Sequence, residues 1–161
     1  MLKSKYLRTV MVGGAAIITA LTATIPSFAQ PITHLNPSTL PDAAAAGYSQ
    51  ITVMEAGKLA FISGQVAWRA NGEPVPDTLS GQTEVVVANA QAALKAIGAS
   101  AKNIVMVRAY MTDLRPETIA EVMPHLNILF DGHLPSLTGV GVTALAAPDL
   151  MIELEMTVRL D

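Results

Sequence analysis

Glu153 and Glu155 stand two residues apart in a run, Leu150 to Val158, whose side chains alternate between apolar and polar. At the strand period of two they share one face. A carboxylate there can orient a water molecule and relay its proton once partial burial raises its pKa, or it can simply face solvent as most charged strand residues do. Two arginines could meet an anionic ligand across a subunit boundary or serve in ordinary ion pairs: Arg108, which shares strand parity with Tyr110, and Arg69, beside Trp68 in a loop. Trp68 either caps a cleft or packs at a subunit surface. His34, His125 and His133 show no paired spacing on one element, and the chain has no cysteine. Neither a metal site nor a disulfide is predicted, and no cofactor motif is present.

The N-terminus reads as a targeting segment. Lys3, Lys5 and Arg8 precede the apolar stretch VMVGGAAIITALTATI, and Ser27-Phe28-Ala29 places small residues at the two positions a signal peptidase reads. The expectation is a Sec signal peptide over residues 1–29, cleaved after Ala29, which sends the protein to the periplasm or the medium. A membrane anchor is the competing reading, but a spanning helix needs about 20 predominantly apolar residues and this stretch is short and rich in Gly, Ala and Thr. The full chain carries a net charge of −3, and loss of the basic leader makes it more acidic. An acidic chain lacks the basic stripe with which nucleic-acid binders meet phosphates, so no nucleic-acid partner is expected. No membrane partner is expected after cleavage either.

Residues 30–45, rich in Pro and Ala, are expected to form an extended arm ahead of a single domain, residues 46–161. Gln50–Ala56 and Leu59–Gln65 flank Gly57 and are predicted to pair as a hairpin. Trp68–Leu79, with Asn71-Gly72 and two prolines, reads as a loop. Ser80 is the candidate N-cap of a long helix carrying Val85, Val86, Ala93, Leu94 and Ile97, closed by Gly98. Ile104–Met111 is a strand with apolar residues at both parities, which predicts burial on both sides. Pro116 suits the first turn of a second helix through Ile119, Val122, Leu126, Leu129 and Phe130. Pro124 inside it predicts a kink or a delayed start. Finally, PSLTGVGVTAL and LMIELEMTV flank Ala146-Ala147-Pro148-Asp149 and are predicted to form a second hairpin.

The predicted order is ββ, α, β, α, ββ, an α+β fold with a mixed sheet and two helices on one face. Two helices cover one sheet face, so the other must be buried by association, most economically in a closed cyclic oligomer. GYSQ at Gly47–Gln50, ISGQ at Ile62–Gln65 and the stretch from Leu134 to Met156 together resemble the Rid family (RidA/YjgF, reactive-intermediate deaminases), over about Gly47 to Val158. The resemblance implies a chorismate-mutase-like fold, a homotrimer and three clefts between subunits that receive a small-molecule ligand.

It also implies roles residue by residue. Glu153 matches the glutamate that holds the attacking water, Tyr48 a tyrosine projecting into the cleft, and Ser63 and Gly64 the strand end whose backbone meets the ligand. Where the family carries Pro-Ala-Arg-Ser, this chain has Pro135-Ser136-Leu137-Thr138. The family arginine pairs bidentately with a substrate carboxylate, and Leu137 offers neither charge nor donor. Thr138 can give one hydroxyl hydrogen bond, which does not replace a cation. Met123 stands in place of an asparagine near the cleft, and Gly139 in place of a cysteine. Two kinds of function follow: an enamine or imine deaminase/hydrolase with a different substrate anchor, or a non-catalytic ligand-binding or chaperone-like trimer.

Overall fold

The structure, a computed structural model, describes residues 32–160. The expected signal peptide lies outside them. Six strands and two helices follow in the order β1 (Thr33–Leu35), β2 (Ile51–Val53), β3 (Lys58–Gln65), α1 (Leu79–Ala96), β4 (Ile104–Met111), α2 (Pro116–Phe130), β5 (Ser136–Gly141) and β6 (Ile152–Leu160). A 3₁₀ turn, Ala101–Asn103, leads into β4. The main sheet has the order β3-β6-β4-β5, in which β6 runs antiparallel to both neighbours and β5 parallel to β4. β3 and β4 therefore also run parallel, with β6 inserted between them. Each helix is thus a crossover between parallel strands, and the strong right-handed preference of such crossovers places both helices on one face. Two helices on one side of a mixed sheet are the α+β architecture expected.

Neither predicted hairpin forms. β5 and β6 are separated by β4, and β3 pairs with β6 while β2 pairs with β1 in a small sheet of its own. The reason is burial. The inward residues of β6, Ile152, Leu154, Met156 and Val158, are all essentially inaccessible, so this strand belongs in the centre of the sheet. β5, with Gly139 and Gly141 largely exposed, suits an edge. The link over residues 142–151 is long enough to carry the chain past β4. The first turn fails as a hairpin for a related reason: Gly57 packs against Arg159 at the end of β6, and Arg159 Nε donates to the Glu55 carbonyl at 3.3 Å, so the turn is docked on β6.

Helix α1 begins two residues earlier than predicted. Thr78, not Ser80, is the N-cap, and its Oγ1 accepts from the Gly81 amide at 3.2 Å. Pro76 and Asp77 precede it, and the extended backbone of Thr78 is what a cap requires. At the other end Gly98, with φ of 70°, allows the Ala99 amide to reach the Leu94 carbonyl at 2.9 Å and its own amide to reach the Lys95 carbonyl at 3.1 Å. α2 starts at Pro116 as expected and continues through Pro124 to Phe130, so its start is not delayed. The core between sheet and helices is built on Ile104, Val107, Leu126, Leu129, Phe130, Leu150 and the inward side of β6. β4 is buried on that side alone: Met106, Arg108 and Tyr110 on the opposite face remain half-exposed. The face without helices is open.

Candidate functional site

Leu137 sits on β5 opposite Val107, and Val107 faces Met156 on β6. Residues directly opposed in a ladder project to the same side, so Leu137 lies on the helix-covered face. There it joins Tyr48, Met111, Leu114, Met123 and Leu126 around a cavity of about 370 Å³, with Ala46, Ala109, Ile119, Val122 and Gly139 completing the wall. Tyr48 supplies the one polar side chain of that lining. The tyrosine is brought there by a tight turn at Gly47, whose φ of 86° and contact with Asn127 Oδ1 leave no room for a Cβ. Beyond Tyr48 the chain runs along the free edge of β5. The Ser49 amide donates to the Pro135 carbonyl at 3.0 Å, and Thr52 Oγ1 accepts from the Ser136 amide at 3.1 Å and lies 2.9 Å from Ser136 Oγ.

Thr52 extends this contact to the arm, for His34 Nδ1 is 3.1 Å from its Oγ1. Burial, and then the nearby His133, hold the His34 imidazole below its ordinary pKa. Both groups favour the neutral ring, because each penalises added positive charge.

Glu153 lies elsewhere. On β6 it faces Tyr110 of β4, which faces Val140 of β5, and this row belongs to the open side of the sheet. Its carboxylate packs on the Cα of Gly64 so closely that a Cβ there would overlap it. Ser63 and Gly64 form a bulge in β3, since Ile62 opposes Met156 while Gln65 opposes Leu154, and the extra residue bends the strand toward Glu153. Thr138 is on the open side too, in the row that holds Arg108 and Glu155. Within one chain, then, the residues singled out from sequence form two groups: Tyr48, Leu137 and Met123 on the helix face, and Ser63, Gly64, Glu153 and Thr138 on the open face.

Both candidate cations are engaged away from Leu137. Arg108 Nη1 donates to Glu155 Oε1 at 3.1 Å, and the Tyr110 hydroxyl donates to Oε2 at 2.7 Å. That hydrogen bond is the main reason the Tyr110 pKa is raised, with burial second. Arg69 Nη1 donates to the Pro74 carbonyl at 2.7 Å and its Nε lies 3.5 Å from Glu73. Trp68 is about half exposed beside it. Among the described residues no cluster of three or more His, Cys, Asp or Glu side chains is placed to hold a metal ion, and no helix is long and apolar enough to cross a membrane.

Sequence reasoning passed over Gln82. Fully buried near the start of α1, its amide donates to the Pro76 and Asp149 carbonyls at 3.0 and 2.7 Å and accepts from the Met151 amide at 2.8 Å, fixing the segment that feeds Glu153 into β6. Its position one turn from a run of valines was the available signal.

Comparison with known proteins agrees with this architecture. The family model described as endoribonuclease L-PSP matches residues 39–160. Protein MMF1, mitochondrial, of Saccharomyces cerevisiae is 33% identical over 137 residues, covering 84% of this chain and 90% of that protein. The RutC family protein YjgH of Escherichia coli is 36% identical over 102 residues, covering 62% of this chain and 76% of its own. Among solved structures, YyfB of Yersinia pestis, described as a protein of unknown function of the conserved Rid family, superposes with a TM-score of 0.76 at 34% identity, over 81% of this chain and 99% of that one. The match of family model, sequence and fold over nearly the whole described region means that the chain belongs to the Rid (YjgF, endoribonuclease L-PSP) family.

Proposed function

We propose that this protein is an exported Rid-type homotrimer that receives an uncharged small molecule in the Leu137 cavity and hydrolyses its imine or enamine group. The observation that carries the reading is the composition of that cavity: Leu137 and Met123 line it and no cation does. A substrate carboxylate would be buried there without a partner, at a cost of several kcal/mol or more. A neutral imine meets no such penalty. The separation of Glu153 from Leu137 within one chain supports a trimer in which the open face of one subunit, with Glu153, completes the Leu137 cavity of the next. Exposed Phe61 and Leu59 on β3 supply apolar surface for that association.

In this reading Glu153 takes a proton from water as the oxygen adds to the imine carbon. The proton passes to nitrogen to give a carbinolamine, the hydroxyl proton then moves to nitrogen as well, the C–N bond breaks, and ammonia and a carbonyl compound leave. An enamine enters after taking a proton at carbon to become the imine, and atoms and charge balance without a cofactor. The acidic chain and the carboxylates of the open face favour a small-molecule substrate over nucleic acid. The test is ammonia release by the purified protein from imines generated in situ, both neutral imines made from simple amines and 2-imino acids made from amino acids. Accelerated hydrolysis of the neutral imines, lost in Glu153→Ala, is expected, with 2-imino acids accepted only by Leu137→Arg. Equal wild-type activity on both classes would overturn the neutral-ligand reading.

A second reading, ligand binding without chemistry, is favoured by the absence of any carboxylate or imidazole from the cavity wall. It predicts that neutral ligands bind equally well to the wild type and Glu153→Ala while neither releases ammonia.

A further inference from the structure

A second cavity of about 630 Å³ adjoins the first, between the turn Ala44–Gly47 and α2. Ala46 and Met123 line both, so the two share a wall, and one half of that wall is a flexible methionine. The second cavity is more polar, with Asn127, His133, Ala120 and Pro124 in its lining. Pro124 is decisive. It lies well inside α2, four residues after Ala120, and has no N–H to offer the Ala120 carbonyl. The Ala120 carbonyl thus lacks its i+4 helical donor, and Ala120 lines the cavity. The facing turn does not supply one. The amides of Ala45, Ala46 and Gly47 are directed to Asp42 Oδ1, the Ala43 carbonyl and the Ala44 carbonyl at 3.3, 3.0 and 3.0 Å.

We infer that the two cavities form one bipartite site for an amphipathic molecule, with an apolar body in the Leu137 cavity and an N–H or O–H group given to the Ala120 carbonyl, which Pro124 deprives of its i+4 donor. The inference rests on reading the Leu137 cavity as the ligand site, and it adds the chemistry of the ligand's other end. Their volumes lie in the range of small-ligand pockets, about 300–1,000 Å³. Proline at position 124 then acts as a specificity determinant: it withholds the backbone donor that any other residue would supply.

Pentan-1-ol and its isomer butyl methyl ether separate the two halves, since they share composition and an apolar chain but only the alcohol has a donor. Their affinities for the full protein are measured by ligand-observed NMR titration, in the wild type, Pro124→Ala and Leu137→Trp. Pro124→Ala restores the helical N–H and is a favourable change for folding. It is expected to weaken pentan-1-ol about 3- to 10-fold, the worth of one hydrogen bond, and to leave the ether unchanged. Leu137→Trp fills the apolar half and is expected to abolish binding of both. If Pro124→Ala alters the two ligands alike, or neither, the polar half is overturned while the Leu137 cavity stands. If Leu137→Trp leaves both bound, the cavity reading falls and the bipartite site with it.

Discussion

An isobutyl group at position 137 sets what the helix-face cavity can hold, and among the described residues no cation joins that lining: Arg108 is paired with Glu155 and Arg69 with Glu73 on other parts of the chain. Leu137 stands out in the sequence because the surrounding Pro-Ser-Leu-Thr resembles a family motif, and the structure places it in a cavity wall. Its separation from Glu153 was not legible there, because side-chain parity says which residues share a face of a strand but not which strands are neighbours. Gly64 offers a test at this scale. Its added methyl would meet the far end of the flexible Glu153 side chain rather than backbone. Gly64→Ala is therefore expected to shift the melting temperature by less than about 4 °C, the effect of roughly 1 kcal/mol in a domain of this size. If Glu153 orients the attacking water, hydrolysis falls as far as in Glu153→Ala. Retained activity would show that Glu153 does not need its observed position against Gly64. The Arg108–Glu155 pair is more than a third exposed on both sides, so its coupling, measured by a double-mutant cycle, is expected to stay below about 1 kcal/mol.

Among the elements, the helices and β4 were readable because apolar periodicity and capping chemistry are local, whereas the hairpins misled because a strand's partner is chosen by burial across the whole sheet. The unbroken passage of α2 through Pro124 is a local rule overridden by packing: Val122, Leu126, Leu129 and Phe130 anchor the helix on both sides of the proline. Pro124→Ala should accordingly raise stability in chemical denaturation, by up to about 3 kcal/mol. The arm makes a different prediction. His34 has a folded-state pKa below its ordinary 6.5. Its neutral form therefore contributes stability that is full above that ordinary value and is lost as pH falls through the folded-state value. The melting temperature should decline on acidification from about pH 7.5 to 5, and less steeply in His34→Gln. An identical slope in both proteins would show that the arm contact does not sense protonation.

For the whole molecule, the open sheet face is the feature that sequence foresaw by elimination, since two helices cannot cover both sides. Phe61 stands on it 76% exposed, with Leu59 beside it and the Arg108–Glu155–Tyr110 cluster at its middle. A face of that character, apolar at one edge and paired at its centre, suits a repeated contact with copies of the same chain. Sedimentation is expected to give three times the monomer mass, and Phe61→Asp to shift the protein to monomers by placing a charge in the contact. A wild type that sediments as a monomer would refute the association. Order of synthesis adds a kinetic consequence. β6, the central strand, is the last of the four to leave the ribosome, so β3 and β4 have no partner between them until the rest of the domain has been made. Closing such distant pairings is slow. A nascent chain with a gap at the centre of its sheet cannot close that sheet until β6 has been made, so its fold is completed late and all at once rather than strand by strand.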